Sequence, residues 1–278
     1  MFAWQVGVLA GLADAGLDGR AARTILGTSG GSISAARLAV GIDARVDADQ
    51  IARIAPRAAP DGLRRAVSQA MPMLMRVVWE GGAGDETDRR RRAGQFALRW
   101  RGVLSMPAHI QRQAARLPEA DWPRSLRLVA SDADTGERVV LDSSSGVRLA
   151  DGVAAGRAVP GLVAPLNLGG RRLLDAALCS ATNADLIPDD PELAIVITAT
   201  PAAAEPGSLE ARWNAALEAE RSALATRWVR VVVVHASSAA VEAMGDDPLS
   251  TTDASAAVAA GREQGAEVGT EILLGARL

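Results

Sequence analysis

A short apolar run, Ile25-Leu26, leads into Gly27-Thr28-Ser29-Gly30-Gly31, and a stretch of small residues, Ser32-Ile33-Ser34-Ala35-Ala36, follows at once. This order predicts a strand, a sharp turn and a helix, with Ser29 at the turn. The spacing Gly27-x-Ser29-x-Gly31 is that of a nucleophile elbow, in which flanking glycines tolerate a strained backbone that lifts the serine hydroxyl clear of the sheet. Two other readings fit the same residues. The first is a glycine-rich strand-to-helix connection with an idle serine, and the second is an anion-binding helix N-terminus.

The rest of the chain bounds these readings. At 278 residues it suits one sizeable α/β domain, and 49% hydrophobic content supports a packed core. A net charge of −3 gives no electrostatic case for nucleic acid. All 30 basic residues are arginine and tyrosine is absent, a bias of composition that carries no mechanism. The single cysteine, Cys179, cannot form an internal disulfide. Neither a signal peptide nor a long apolar run is visible, so the chain reads as cytoplasmic, with peripheral membrane contact left open.

Along the chain, Trp4, Val8, Leu9 and Leu12 recur at helical spacing before Gly16, so the chain opens inside a helix. A mainly helical section extends over about 47–117, punctuated by Pro56, Pro60, Gly81, Gly82, Gly84 and Pro107. Within it, Leu63 to Trp79 mixes methionines with arginines. It reads as a helix packed on the core, with a lipid-facing lid as the second reading. Strands are expected at Leu126–Ala130, Arg138–Leu141, Leu162–Leu168, Leu173–Leu174, Leu193–Ala199 and Val229–Val234. Helices are expected at Leu149–Ala155, Ser208–Thr226 and from Thr252 to about Val268. Strands alternating with helices predict a mostly parallel sheet covered on both faces.

A serine nucleophile needs a base within hydrogen-bond reach and a site for the oxyanion. Only His109 and His235 could supply an imidazole. His235 ends the valine-rich strand, and the order Ser, Asp, His is that of α/β-hydrolases, so a Ser-Asp-His esterase using His235 is one reading. A histidine that merely ends a strand is the simpler account of it. His109 lies in the helical section and reads as structural. Asp132, Asp134 and Asp142 read as turn aspartates and Asp151 as a helix-start residue.

Five ordered motifs point to a different base. Trp4-Gln5-Val6-Gly7-Val8-Leu9, Gly27-Thr28-Ser29-Gly30-Gly31-Ser32, Ala158-Val159-Pro160-Gly161, Leu174-Asp175-Ala176-Ala177, and Ser180-Ala181-Thr182-Asn183-Ala184-Asp185-Leu186 resemble those of the patatin-like phospholipase family. The similarity extends to Asp247-Pro248-Leu249 and the closing helix. The resemblance implies a single three-layer α/β/α domain over 1–278 that cleaves carboxylic esters of lipids through a Ser-Asp dyad. By position, Ser29 would be the nucleophile, Asp175 the general base, and Gly27, Gly30 and Gly31 the elbow, with the Gly30 N–H an oxyanion donor. No metal or organic cofactor is implied. The partner implied is a lipid or other acyl-ester substrate.

Three features depart from the family pattern. The expected first strand and glycine-rich oxyanion loop do not precede Trp4. Either the natural protein starts upstream of this sequence, or this is a catalytically impaired member that binds lipid or a partner, with an open sheet edge that would favour oligomers. Ala176 stands where glycine is usual, which would strain the backbone if it needs positive φ. Arg157 occupies a place usual for small residues, from which it would contact an anionic head group or block the pocket.

Overall fold

The computed structural model describes residues 1–56, 58–100, 102–188, 191–245 and 253–275. Asp247-Pro248-Leu249 lies outside the described residues. The elements in chain order begin with α1 (Phe2–Asp14), β1 (Ile25–Thr28), α2 (Gly31–Ala39), α3 (Ala44–Ile51), α4 (Asp61–Met75), α5 (Glu86–Arg99) and α6 (Met106–Ala114). Next come β2 (Leu126–Asp132), β3 (Arg138–Leu141), α7 (Leu149–Gly156), β4 (Leu166–Leu168) and β5 (Arg171–Asp175). The last are β6 (Leu193–Thr198), α8 (Leu209–Thr226), β7 (Arg230–His235), α9 (Ser238–Met244) and α10 (Ala254–Leu273). The helical section expected over about 47–117 is thus α3 to α6 with a π-helical turn at Arg76–Glu80.

The chain packs as two compact units. One comprises Met1–Thr24, Gly41–Ala59 and Thr182–Leu278, and the other Ile25–Val40 and Pro60–Ala181.

The second unit holds a five-stranded sheet in which β1, β3 and β5 all pair with β2, and β4 pairs with β5. The expectation of a mostly parallel sheet is corrected here. β1 runs parallel to β2, but β3 and β5 run antiparallel to β2, and β4 antiparallel to β5. The cause is local. Gly169 and Gly170, both at positive φ, form a two-residue hairpin that returns β5 alongside β4, and the turn around Gly136 does the same for β3. The strand expected over 162–168 is correspondingly reduced to Leu166–Leu168. Helices cover both faces of this sheet. Gly152 of α7 lies 3.7 Å (measured from an ideal Cβ) from Leu128 Cδ1. On the opposite face, Leu174, in register with Ser131, packs with Ala97 of α5 and Ala133. Leu74 and Val78 are fully buried against Ala93 and Leu178, so one face of the methionine-rich stretch packs on the core, while Met73 is 50% exposed.

In the first unit, β6 and β7 pair in parallel. The two-residue period of strands sends Ala194 and Val196 toward Leu217 and Leu224 of α8. Ile195 and Ile197 turn the other way, toward Trp4 and Val8 of α1 and Ala257 of α10. Each unit is therefore layered helix, sheet, helix. Helix α9 was not anticipated; Ser237 caps it by accepting from the Ala240 N–H at 3.2 Å.

Helix α8 stops in an unusual way. Trp228, 93% exposed, has φ +61°, and its N–H donates to the Ala225 carbonyl at 3.0 Å while that of Val229 reaches Leu224 at 3.2 Å. This is the left-handed helix stop at which glycine is the usual residue. An L side chain there costs about 1–2 kcal/mol, and an indole in water returns no burial. Trp228→Gly is expected to raise the thermal midpoint by about 2–8 °C, read by calorimetry.

Candidate active site

Strand register brings the two candidate residues together. Thr28 of β1 stands opposite Val129 of β2, and Asp175 of β5 opposite the next residue, Ala130. β3 pairs across residues 128–131 of β2 and so occupies its other edge. β1 and β5 must therefore share one edge of β2, approaching each other end to end. Ser29, one step past Thr28, meets Asp175 at that junction.

Ser29 has φ +50°, as an elbow requires of its nucleophile position. Gly27 admits no side chain, because a Cβ there would lie 2.8 Å from the Ala35 Cβ and from the Ser32 Cα. The Ser29 Oγ donates to Asp175 Oδ2 at 2.6 Å. The Asp175 Oδ1 accepts from the Ala177 N–H at 2.8 Å, which fixes the carboxylate plane. Asp175 is 3% exposed. Burial raises its pKa above the ordinary aspartate value, opposed by the Ser29 and Ala177 hydrogen bonds and by the charge of Arg157. A base with a raised pKa accepts a hydroxyl proton more readily.

Gly30 opens α2 with no side-chain cap, while the Ser32 and Ile33 N–H groups donate to the Ser29 and Gly30 carbonyls at 3.0 and 3.3 Å. Gly31 begins the helix itself. Arg157, the C-cap residue of α7, donates from Nη1 to the Ser29 carbonyl oxygen at 3.1 Å. The side chain is thus engaged on the elbow backbone. Ala176 is not among the residues at positive φ but begins a 3₁₀ turn. The strain expected from its lacking glycine is absent.

The other candidates have partners of their own. The His109 Nε2 lies 3.0 Å from the Ala154 carbonyl, and burial lowers the His109 pKa. It ties α6 to α7. The His235 Nδ1 lies 3.2 Å from the Thr200 carbonyl, within the first unit. The Cys179 thiol is buried and its pKa is pushed up to about 11 by that burial, so it is a poor nucleophile. Asp132 and Asp142 accept backbone N–H bonds within their own turns, as turn aspartates do. Asp151 pairs with Arg148 rather than capping α7.

Sequence reasoning missed two groups. The Ala177 N–H was legible in principle, since an aspartate at the start of a helical turn bonds an N–H two residues on. The Ala158 carbonyl, which accepts from the Asp175 N–H at 3.1 Å, carried no local signal. Among the described residues no cluster of side chains suits a metal ion, and no helix is long and apolar enough to cross a membrane.

No curated protein matches the sequence. The crystal structure of the type III effector protein ExoU aligns with a TM-score of 0.38 and 13% identity over 96% of this chain. The alignment covers 50% of ExoU, so this chain spans about half of that protein's length. Residues 2–187 match the family model described as patatin-like phospholipase. That match covers about two thirds of the sequence and includes both Ser29 and Asp175, and the chain belongs to the patatin-like phospholipase family.

Proposed function

We propose that the chain is a serine acyl hydrolase that cleaves carboxylic esters of lipids through Ser29 and Asp175. The observation that carries this reading is the 2.6 Å bond from a positive-φ elbow serine to a buried carboxylate. Membership of a phospholipase family supports the substrate class.

The chemistry then proceeds in two halves. Asp175 Oδ2 takes the Ser29 hydroxyl proton as Oγ attacks the ester carbonyl carbon, and negative charge develops on the carbonyl oxygen. The Gly30 N–H is the donor placed to meet that charge. Collapse breaks the ester bond, and the leaving alkoxide recovers the proton from Asp175. A water molecule, deprotonated by the same carboxylate, attacks the acyl-enzyme carbonyl; the bond to Ser29 Oγ then breaks, Oγ recovers the proton from Asp175, and the fatty acid is released. Each half begins with Asp175 ionised and ends with it ionised.

Asp175 must be ionised to act, and its pKa is raised by burial. Activity is therefore lost as pH falls, and the acid limb of kcat/KM lies above the range of an ordinary aspartate. The test is p-nitrophenyl ester turnover from pH 4 to 9 by the chain and its Ser29→Ala form. Turnover that disappears with Ser29 and falls on the acid side at such a raised value is expected. Turnover unaffected by Ser29→Ala would reject the assignment.

A further inference from the structure

Arg157 is an expensive residue where it stands. Its guanidinium is partly buried, its Nε is a buried donor with no acceptor, and among the described residues it forms no ion pair. Burial, joined by repulsion from Arg116 and opposed by the charge of Asp175, lowers its pKa to about 10, which still leaves it charged at neutral pH. Taking such a group from water with no carboxylate in ion-pair contact is costly, and stability alone does not account for it.

Its contacts converge on the elbow. The Nη1 holds the Ser29 carbonyl oxygen at 3.1 Å and lies 3.7 Å from where a Cβ on Gly30 would stand. The next residue, Ala158, accepts the Asp175 N–H through its carbonyl at 3.1 Å. The stretch 157–158 is thus attached to both partners of the 2.6 Å bond. The Ser29–Gly30 peptide is planar and trans, so its carbonyl and its N–H point to opposite sides. The Ser29 carbonyl also accepts from the Ser32 N–H at 3.0 Å; the cation is a second anchor for the direction of the Gly30 N–H and, by polarising the peptide, strengthens that donor.

We propose that Arg157 is a positioning residue for ester cleavage, one that orients and polarises the Ser29–Gly30 peptide as an oxyanion donor and supplies the positive charge that keeps Asp175 ionised. The proposal rests on the reading of Ser29 as nucleophile. The groups facing Asp175 are the Ser29 hydroxyl from the elbow, the Ala177 N–H from its own turn and Arg157 from α7. Beyond these, Arg116 acts on Arg157 by repulsion. His109, on α6, also feels the charge of Arg157.

The experiment compares the chain with Arg157→Gln and Arg157→Lys on a neutral p-nitrophenyl ester and on an anionic phospholipid. In parallel it records thermal midpoints and the ¹³C titration of the Asp175 carboxyl. Arg157→Gln is expected to lower kcat by about 10- to 100-fold on both substrates, with KM within about twofold. The acid limb and the carboxyl titration should both move to higher pH. Arg157→Lys, which keeps the charge but not the fork, should recover the position of the acid limb and part of kcat. A rise in KM for the anionic lipid alone, with kcat unchanged, would overturn the proposal in favour of a head-group contact. Equal kinetic loss in both variants with a lowered thermal midpoint would overturn it in favour of packing. If the unsubstituted chain turns over neither ester, it is the hydrolase reading that fails. The carboxyl titration then decides the present proposal: an upward shift in Arg157→Gln supports it and an unchanged titration overturns it.

Discussion

Asp175→Asn should lower kcat/KM by about 10²- to 10⁴-fold, the range that a positioned general base contributes, whereas His235→Ala should leave it unchanged. Asparagine keeps the size of the side chain and an oxygen that can still accept from the Ser29 hydroxyl, now 2.6 Å from Asp175 Oδ2. What it cannot do is take the proton. The Ala177 N–H that holds Oδ1 at 2.8 Å would keep the side chain in place, so the loss reads chemistry rather than folding. A matching thermal midpoint for the variant checks this. His235 ends β7 and faces the Thr200 carbonyl. The opposite pattern, loss with His235→Ala and none with Asp175→Asn, would turn the account to the histidine esterase considered from the sequence.

The largest effect on stability is expected at the pairing of α1 with α10. Their facing glycines let the two backbones touch. A Cβ on Gly265 would collide with the Val8 carbonyl oxygen and stand 3.0 Å from the Leu12 nitrogen. One on Gly11 would collide with the Arg262 carbonyl and stand 2.6 Å from the Ala266 nitrogen. In both cases the obstacle is backbone, which cannot swing aside as a side chain does. Gly265→Val must push the helices apart and disturb the contacts of Trp4 and Val8 with Val234 and Ala257. Overpacking of this kind costs about 3 kcal/mol, a drop in thermal midpoint of about 6–12 °C. Gly62→Ala, where nothing lies within 4 Å of the new carbon, should instead be neutral or slightly stabilising, since alanine is the better helix former. Equal midpoints for Gly265→Val and the unsubstituted chain would show that the helices are not held this closely.

What the sequence made legible follows the range of each interaction. The elbow is local: the apolar residues, the glycines and the small helix are contiguous, and Ser29 takes the positive φ the spacing demands. Some helix ends were readable for the same reason, as with Ser208, which caps α8 through the Ala211 N–H, whereas α10 extends past the expected Val268 to Leu273. Asp175 is different. Its sequence separation from Ser29 is 146 residues, and only strand register along β2 unites them, so no local pattern pointed to it and the family resemblance had to. Strand direction was misjudged because alternation of strands with helices suggests crossovers, while the Gly169-Gly170 pair makes a hairpin. The Arg157 contact was not legible either, since an arginine after a helix of small residues looks the same whether it meets solvent, a head group or a backbone carbonyl. The glycines of α1 and α10 likewise gain meaning only when the two helices face each other.

The central claim is that Ser29 becomes acylated, and the most direct measurement is covalent capture. The chain is treated with a long-chain alkyl fluorophosphonate, which reacts with an activated serine and mimics the tetrahedral intermediate, and the intact mass and peptide map are recorded. The account predicts one adduct per chain, on the peptide that carries Ser29, lost in Ser29→Ala and strongly slowed in Asp175→Asn. An unmodified chain, or an adduct on any other residue, would contradict it.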